Sequence, residues 1–341
     1  MHQNILRKKY KNLCSIEQAM NVLKIINWIM INFLNFIYKF FNRILRLNIK
    51  LGFKIFYLVV TNNISKYPNY VSNFEKKIAK KFNSNYSLTF SSGTGACYSA
   101  ILSLGQNKSS NVFVSKMTFP STINSLLSLN YNIHYFDFDE NFNPIFSTMN
   151  DNIIPDLAII THPFGFPVGR DFIKIIKNKF KNIKIIFDCS HTQGAKFNNK
   201  YLNEYADLTF LSMQGSKAIS GGEGGLVLTN NIEYVNRMME LSHPGKKHDK
   251  VSKLLTGVSM SIKLRMHPLA AAIAESNLDS LEIHNHNITK KINIIYKLLS
   301  KNKNFVTPKY YSSEIGGFHY GLPFFCKVDL NKIDNNSFVP I

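Results

Sequence analysis

The sequence predicts an α/β fold, a mostly parallel sheet flanked by helices. Two patterns carry that expectation. Short apolar runs of strand length alternate with stretches whose apolar residues recur every three or four positions, the arrangement in which helices cover both faces of a parallel sheet. Glycine-rich turns also stand where such runs end, as in Ser92-Gly93-Thr94-Gly95 after Tyr86-Ser87-Leu88-Thr89-Phe90. At 341 residues and 45% hydrophobic content, the chain can build one large domain and a smaller one. The composition shifts place an apolar and basic helical extension at 1–62, a large domain at 63–265 and a C-terminal segment opening with a long helix at 266–341.

Within the extension, the polar positions of 24–50 (Asn27, Asn32, Asn35, Lys39, Asn42, Arg43, Arg46, Lys50) fall mostly on one helical stripe. The other face is broad and apolar, including Trp28, Ile29, Phe33, Leu34, Ile37, Phe40 and Phe41. The charge-free stretch 25–38 is short for a spanning helix, and no small-residue cleavage site follows. Two readings stand side by side. One is a helix lying in a membrane interface with Lys and Arg toward headgroups; the other is a helix packed on a partner subunit or on the body of the protein.

The large domain begins with Phe74, Ile78 and Phe82 at i, i+4, i+8, one helix with a basic outer face. The strand at 86–90 follows, then a helix over 96–104. Strand, turn and helix recur with Val112-Phe113-Val114 and 121–127, and again with Ala158-Ile159-Ile160 and 171–180. Further buried strands are expected at 183–187, 208–211 and 226–228, a helix from Met266 to about residue 299, and one strand at 320–328.

The net charge is +20, which would suit an anionic partner. Lys, Asn, Ile and Phe are abundant together, as an AT-rich genome would produce, and that accounts for most of the charge. Helix-turn-helix, zinc-spacing and aromatic RNP signals are all missing, so nucleic acid is not an expected partner. The four cysteines (Cys14, Cys97, Cys189, Cys326) have neither metal nor disulfide spacing, which points to a reducing, cytoplasmic setting and to no metal.

Three stretches carry chemistry. Ser92-Gly93-Thr94-Gly95 opens a helix, where backbone N–H groups and the helix dipole favour a phosphate; the pattern is neither a P-loop nor a full dinucleotide fingerprint. Asp188 ends the apolar run Ile185-Ile186-Phe187, with His191 three residues on. Lys217 sits among Gly215, Ser216 and Ala218, ahead of Gly221-Gly222-Glu223-Gly224-Gly225, and so belongs to a tight loop. A lysine amine that condenses with an aldehyde, preceded by an acid that keeps a pyridine nitrogen protonated, is what pyridoxal phosphate (PLP) chemistry requires. Taken singly, Asp188 could merely cap a turn and Lys217 could be a surface lysine.

Their order gives the chain its resemblance. Over about 65–300 it resembles the DegT/StrS family of PLP-dependent sugar aminotransferases, a branch of the aspartate-aminotransferase fold (fold type I). The matching stretches are Ser92 to Ala96, Thr118-Phe119-Pro120-Ser121-Thr122, His162-Pro163-Phe164-Gly165, Asp188-Cys189-Ser190-His191-Thr192-Gln193-Gly194-Ala195, the run from Ser212 through Lys217 to Gly225, and Arg265-Met266. The resemblance implies that 63–265 is the PLP-binding domain, with Lys217 as the lysine that joins the cofactor and Asp188 on its ring nitrogen. It further implies His191 near the ring hydroxyl, Phe119 stacked on the ring, and Gly93, Thr94 and Ser212 around the phosphate. It implies amino transfer from an amino acid, glutamate foremost, to a keto sugar on a nucleoside diphosphate. The product would be an amino sugar for lipopolysaccharide, another surface polysaccharide or a glycoconjugate, and the enzyme a homodimer.

The chain departs from the family pattern in three ways. Lys263 stands where members often carry an Asn that reaches a neighbouring subunit's cofactor phosphate. The small C-terminal domain usually runs well beyond residue 341, so 266–341 reads as a linking helix plus part of it, a truncated small domain. The apolar-basic extension is not a family feature; it adds the expectation of peripheral contact through 24–50, at the inner face of the membrane. Two alternatives accompany the aminotransferase reading: a truncated, non-catalytic relative that binds a membrane or partner, and a PLP-dependent sugar dehydratase. Lys217 opposes the dehydratase, because those relatives carry a histidine there.

Overall fold

The computed structural model describes residues 32, 51–61, 69–105, 109–145, 148–149, 152–168, 170–242, 262–308 and 321–326. The chain divides into two units, Met1–Tyr57 and Leu58–Ile341. In the first, residues 51–57 are helical and expose Phe53, Phe56 and Tyr57. The expected interfacial helix at 24–50 lies, Asn32 apart, outside the described residues. Among the described residues, no helix is long and apolar enough to cross a membrane.

The second unit starts with helix α1 (Asn69–Lys81), which buries Phe74 and Ile78, with Phe82 just past its end. Its outer basic face is anchored: Lys77 pairs with Glu275 at 3.1 Å and Asp279 at 2.7 Å, and Lys81 with Glu282 at 2.6 Å. These partners lie on the long helix α6, introduced below.

Strands and helices then alternate: β1 (Tyr86–Phe90), α2 (Gly93–Ser103), β2 (Asn111–Ser115), α3 (Pro120–Ser128), β3 (Asn132–Phe138), β4 (Pro144–Ile145), β5 (Leu157–Thr161), α4 (Arg170–Lys179) and β6 (Lys184–Asp188). A small hairpin, β7 (Lys196–Phe197) and β8 (Lys200–Tyr201), leads to β9 (Leu208–Ser212), β10 (Gly225–Thr229), α5 (Ile232–Ser242) and α6 (Pro268–Leu299). The sheet order is β1-β10-β9-β6-β5-β2-β3-β4. From β9 through β6, β5 and β2 to β3 every pairing is parallel. β10 runs against both β1 and β9, and β4 runs against β3 at the edge. The mostly parallel sheet is therefore observed.

Alternate side chains of each inner strand enter two separate cores. Phe113, Ala158, Ile160, Ile185 and Phe187 join one cluster, while Val112, Val114, Leu157, Ile159 and Ile186 join the other. Burial on both faces is why these strands read as unbroken apolar runs. At about 25 cal/mol per Å2, such burial is the main favourable term in the fold.

Helix α6 begins after Met266 and His267 because Pro268 occupies its first position, where a missing N–H costs nothing. The expected strand at 320–328 is described only over 321–326, of which β12 (Phe325–Cys326) pairs with β11 (Phe305–Val306).

Candidate functional site

The carboxyl ends of the parallel strands surround one cavity of about 700 Å3, the place where open α/β sheets bind ligands. It is lined by all seven residues singled out from the sequence: Gly93, Thr94, Phe119, Asp188, His191, Ser212 and Lys217. Lys263, by contrast, is exposed and does not line it.

Helix α2 opens toward the cavity three residues earlier than the apolar pattern suggests. Ser92 caps it, its hydroxyl accepting from the Gly95 N–H at 3.0 Å. Gly93 is packed so tightly that a Cβ there would lie 2.8 Å from the Ser212 Cβ. Gly225, the first residue of β10, lies against the Ser92 carbonyl with no room for a side chain. Glycine at 93 lets the α2 turn meet the end of β9, and glycine at 225 lets it meet the start of β10.

The start of α3 is different. Phe119 occupies its N-cap with no side-chain cap bond, Pro120 follows, and the Phe119 ring is 68% exposed.

Asp188 is the last residue of β6 and only 4% exposed. Its Oδ1 accepts from the Ser190 N–H at 3.0 Å, and the Ser190 hydroxyl accepts from the Ser212 N–H at 3.1 Å. Burial pushes the Asp188 carboxyl up, while the Ser190 hydrogen bonds and the Lys217 charge hold it back. Burial pulls the Lys217 ammonium down to about 8, and Asp188 opposes that fall. The two groups therefore share one low-dielectric space, each shaping the other's charge.

Several cavity residues have no role legible in the sequence. Thr161 and Thr118 join hydroxyls at 2.8 Å; Phe164 forms wall with a positive φ of 53°; Glu223 adds a second carboxylate. His162, in one of the motif stretches, lies behind the wall. Its Nδ1 accepts from the Val168 N–H at 2.8 Å, and burial pushes its pKa down to about 3, so it is a neutral structural histidine.

The sequence model of the DegT/DnrJ/EryC1/StrS aminotransferase family matches residues 57–333. The chain belongs to this family. DegT-type relatives include GDP-perosamine synthase of Escherichia coli O157:H7, 30% identical over 53% of this chain and 50% of that protein. A UDP-4-amino-4,6-dideoxy-N-acetyl-beta-L-altrosamine transaminase of Campylobacter jejuni is 27% identical over 70% of this chain and 64% of its own length. The chain thus spans between half and two thirds of these curated relatives. Among solved structures, an aminotransferase from Psychrobacter cryohalolentis superposes with a TM-score of 0.71 at 19% identity, covering 79% of this chain and 73% of that one. A GDP-4-keto-6-deoxy-D-mannose-3-dehydratase from E. coli, solved with bound hydrated PLP, gives 0.67 at 21% identity over 77% and 72%. These two likenesses establish the shared fold.

PLP is the cofactor this DegT-type family implies, and the residues present fit it. The close Gly93–Ser212 approach forms a cradle beside the first turn of α2, suited to a phosphate. Asp188 is a buried acid whose charged form is penalised by burial, so a cationic N–H placed in the cavity would relieve it. A lysine with a depressed pKa lines the same space.

Proposed function

We propose that this protein holds PLP in the 700 Å3 cavity and moves an amino group from an amino acid, glutamate foremost, to a keto sugar carried on a nucleoside diphosphate. The observation that carries the reading is Lys217 and Asp188 on one cavity, each electrostatically felt by the other. When bound, the cofactor supplies an aldehyde carbon that receives the amine and a ring that accepts the electron pair left on the reacting carbon. Lys217 provides the amine for that aldehyde. With the cofactor in place, Lys217 Nζ would be the base that takes the proton from the donor's α-carbon and the acid that returns one to the sugar carbon that gains nitrogen. In the cofactor-free protein burial lowers the Lys217 pKa to about 8, which brings the amine closer to physiological pH than an exposed lysine.

Asp188 would hold the proton on the pyridine nitrogen, and His191 would meet the ring hydroxyl. Phe119 would cover one ring face, and Gly93, Thr94 and Ser212 would orient the phosphate. The product is an amino sugar for a surface polysaccharide such as lipopolysaccharide. Further parts of the reading are a homodimer, a cytoplasmic location and peripheral contact of 24–50 with the inner membrane face.

The test is spectroscopic. Protein mixed with PLP gains a visible-violet absorption band, Lys217→Ala abolishes it, and added glutamate bleaches it. If no band forms, the non-catalytic reading replaces this one. A band that glutamate leaves untouched removes amino transfer while keeping the cofactor. Sedimentation decides the dimer. Liposome co-sedimentation before and after deletion of residues 1–60 decides the membrane contact, which is rejected by unchanged binding.

A further inference from the structure

The loop that carries Lys217 is gripped at both ends by one side chain from the turn after Asp188. Gln193 is 0% exposed. Its Nε2 donates to the Ser212 carbonyl at 2.5 Å, and its Oε1 accepts from the Ile219 N–H at 2.7 Å. The amide orientation is fixed by its partners, because a carbonyl can only accept and a backbone N–H can only donate. Ser212 and Ile219 bracket Lys217. Between them the chain is closed by the Lys217 N–H on the Gln214 carbonyl at 2.9 Å and by Gln214 Oε1, which accepts from the Ser216 hydroxyl at 2.7 Å.

The turn that bears Gln193 is itself tied to α6. Asn285 Nδ2 donates to the Gln193 carbonyl at 2.7 Å. The next residue, Gly194, has a φ of +81°, and a Cβ there would lie 2.9 Å from both Asn285 Nδ2 and Leu281 Cδ2. Asp188, at the end of β6, and Gln193, in the turn that follows, thus lie within six residues of each other, and the turn is held from behind by a helix. Asp188 faces the cavity; Gln193 clamps the opposite loop.

We infer that Gln193 is a positioning residue, one that sets the place of the Lys217 amine relative to the Asp188 carboxylate by bonding to both ends of the lysine loop. No sequence signal assigns Gln193 a role, and Gln193 does not itself line the cavity, which it meets only through the backbone of Ser212. Its effect on chemistry passes through the loop. Losing the amide would leave the buried Ile219 N–H without this acceptor and the half-buried Ser212 carbonyl without this donor, and so free both ends of the loop. The consequence for amino transfer rests on the function proposed above; the positional claim does not.

The test therefore uses cofactor-free protein. The pH dependence of Lys217 modification by an amine-directed acylating reagent, read by mass spectrometry of its peptide, should show a midpoint near 8 in the wild type. Gln193→Met keeps length and burial but makes neither bond. Its midpoint should rise toward the ordinary value of 10.5, and the Ile219 amide should exchange about tenfold faster, the size of one lost buried hydrogen bond. A lower melting temperature with an unmoved midpoint would mean that Gln193 only supports the fold, and would overturn the inference. The wild type gives a check that needs no variant: an Ile219 amide exchanging as fast as exposed loop amides would also overturn it. A chain that never forms the violet band can still pass this test, so the two readings fail separately.

Discussion

Helices α2 and α3 open onto the same cavity from the same edge of the sheet, yet their first turns offer opposite things. α2 begins with Ser92 capping, Gly93 pressed on Ser212, and backbone N–H groups at Gly93 and Thr94 that by position have no intrahelical partner. α3 begins with an uncapped Phe119, exposed to 68%, followed by a proline that has no N–H to give. One turn has the chemistry that suits an anion, the other an exposed apolar face. The same strand-turn-helix unit, used twice, thus presents a glycine turn and an exposed aromatic ring to one cavity, the two features that the proposed cofactor would use.

The largest effect is expected from spoiling the anion end. Gly93→Ala places a methyl group 2.8 Å from the Ser212 Cβ and 3.0 Å from its Oγ, so the two sides of the cradle must separate. Overpacking of this kind costs roughly 1–3 kcal/mol, which, if expressed in binding, corresponds to PLP affinity weakened roughly five- to 150-fold. A PLP titration followed by absorbance measures this; unchanged affinity would mean that the phosphate does not sit between Gly93 and Ser212.

A smaller effect is expected between the two ends, at the acid. Burial lowers the Lys217 pKa and the Asp188 charge raises it, so Asp188→Asn removes the opposing influence. The sign follows: with the carboxylate gone, the ammonium form loses support and the Lys217 midpoint falls below about 8 in cofactor-free protein. The same acylation profile reads it. A midpoint that rises would separate the two groups.

Much of this contrast is legible in the amino-acid sequence, and the reasons are physical. The inner strands announce themselves because both faces are buried, as Leu157, Ala158, Ile159 and Ile160 show. β3 gives no such run: its residues Asn132-Ile133-His134-Tyr135-Phe136-Asp137-Phe138 are mostly half-buried or exposed near the sheet edge, and no strand is expected there from the pattern alone. α5 is absent from the sequence expectations as well, although Tyr234, Val235, Met238 and Met239 are its buried face. Asp188 and Lys217 can be found because an acid at the end of an apolar run and a lysine among glycines are local signals. Gln193 cannot. Its bonding partners lie 19 and 26 residues away in sequence, and no periodicity or turn rule records a buried amide that satisfies both. The left-handed backbone at Phe164 is equally unreadable, since nothing in His162-Pro163-Phe164-Gly165 requires a non-glycine residue to take a positive φ.

The smallest effect is the most informative about α3, because it should run in two directions at once. Phe119 is a poor N-cap: it has extended backbone angles but no oxygen to accept from the first-turn N–H groups. Phe119→Ser supplies that oxygen at a position whose φ of −74° and ψ of 141° already suit a cap. Capping by serine is worth about 1 kcal/mol, so the variant should melt higher, provided the exposed ring contributes little to the core. The same change removes the aromatic face, and stacking worth about 0.5–1.5 kcal/mol corresponds to PLP bound roughly two- to tenfold more weakly. Thermal unfolding without cofactor and a PLP titration measure the two effects separately. Greater stability with weaker binding would show that Phe119 is kept at a cost to the helix because a ligand needs it. If the variant were less stable and bound PLP as well as the wild type, Phe119 would be a packing residue, and the contrast between the two helix starts would lose its aromatic half.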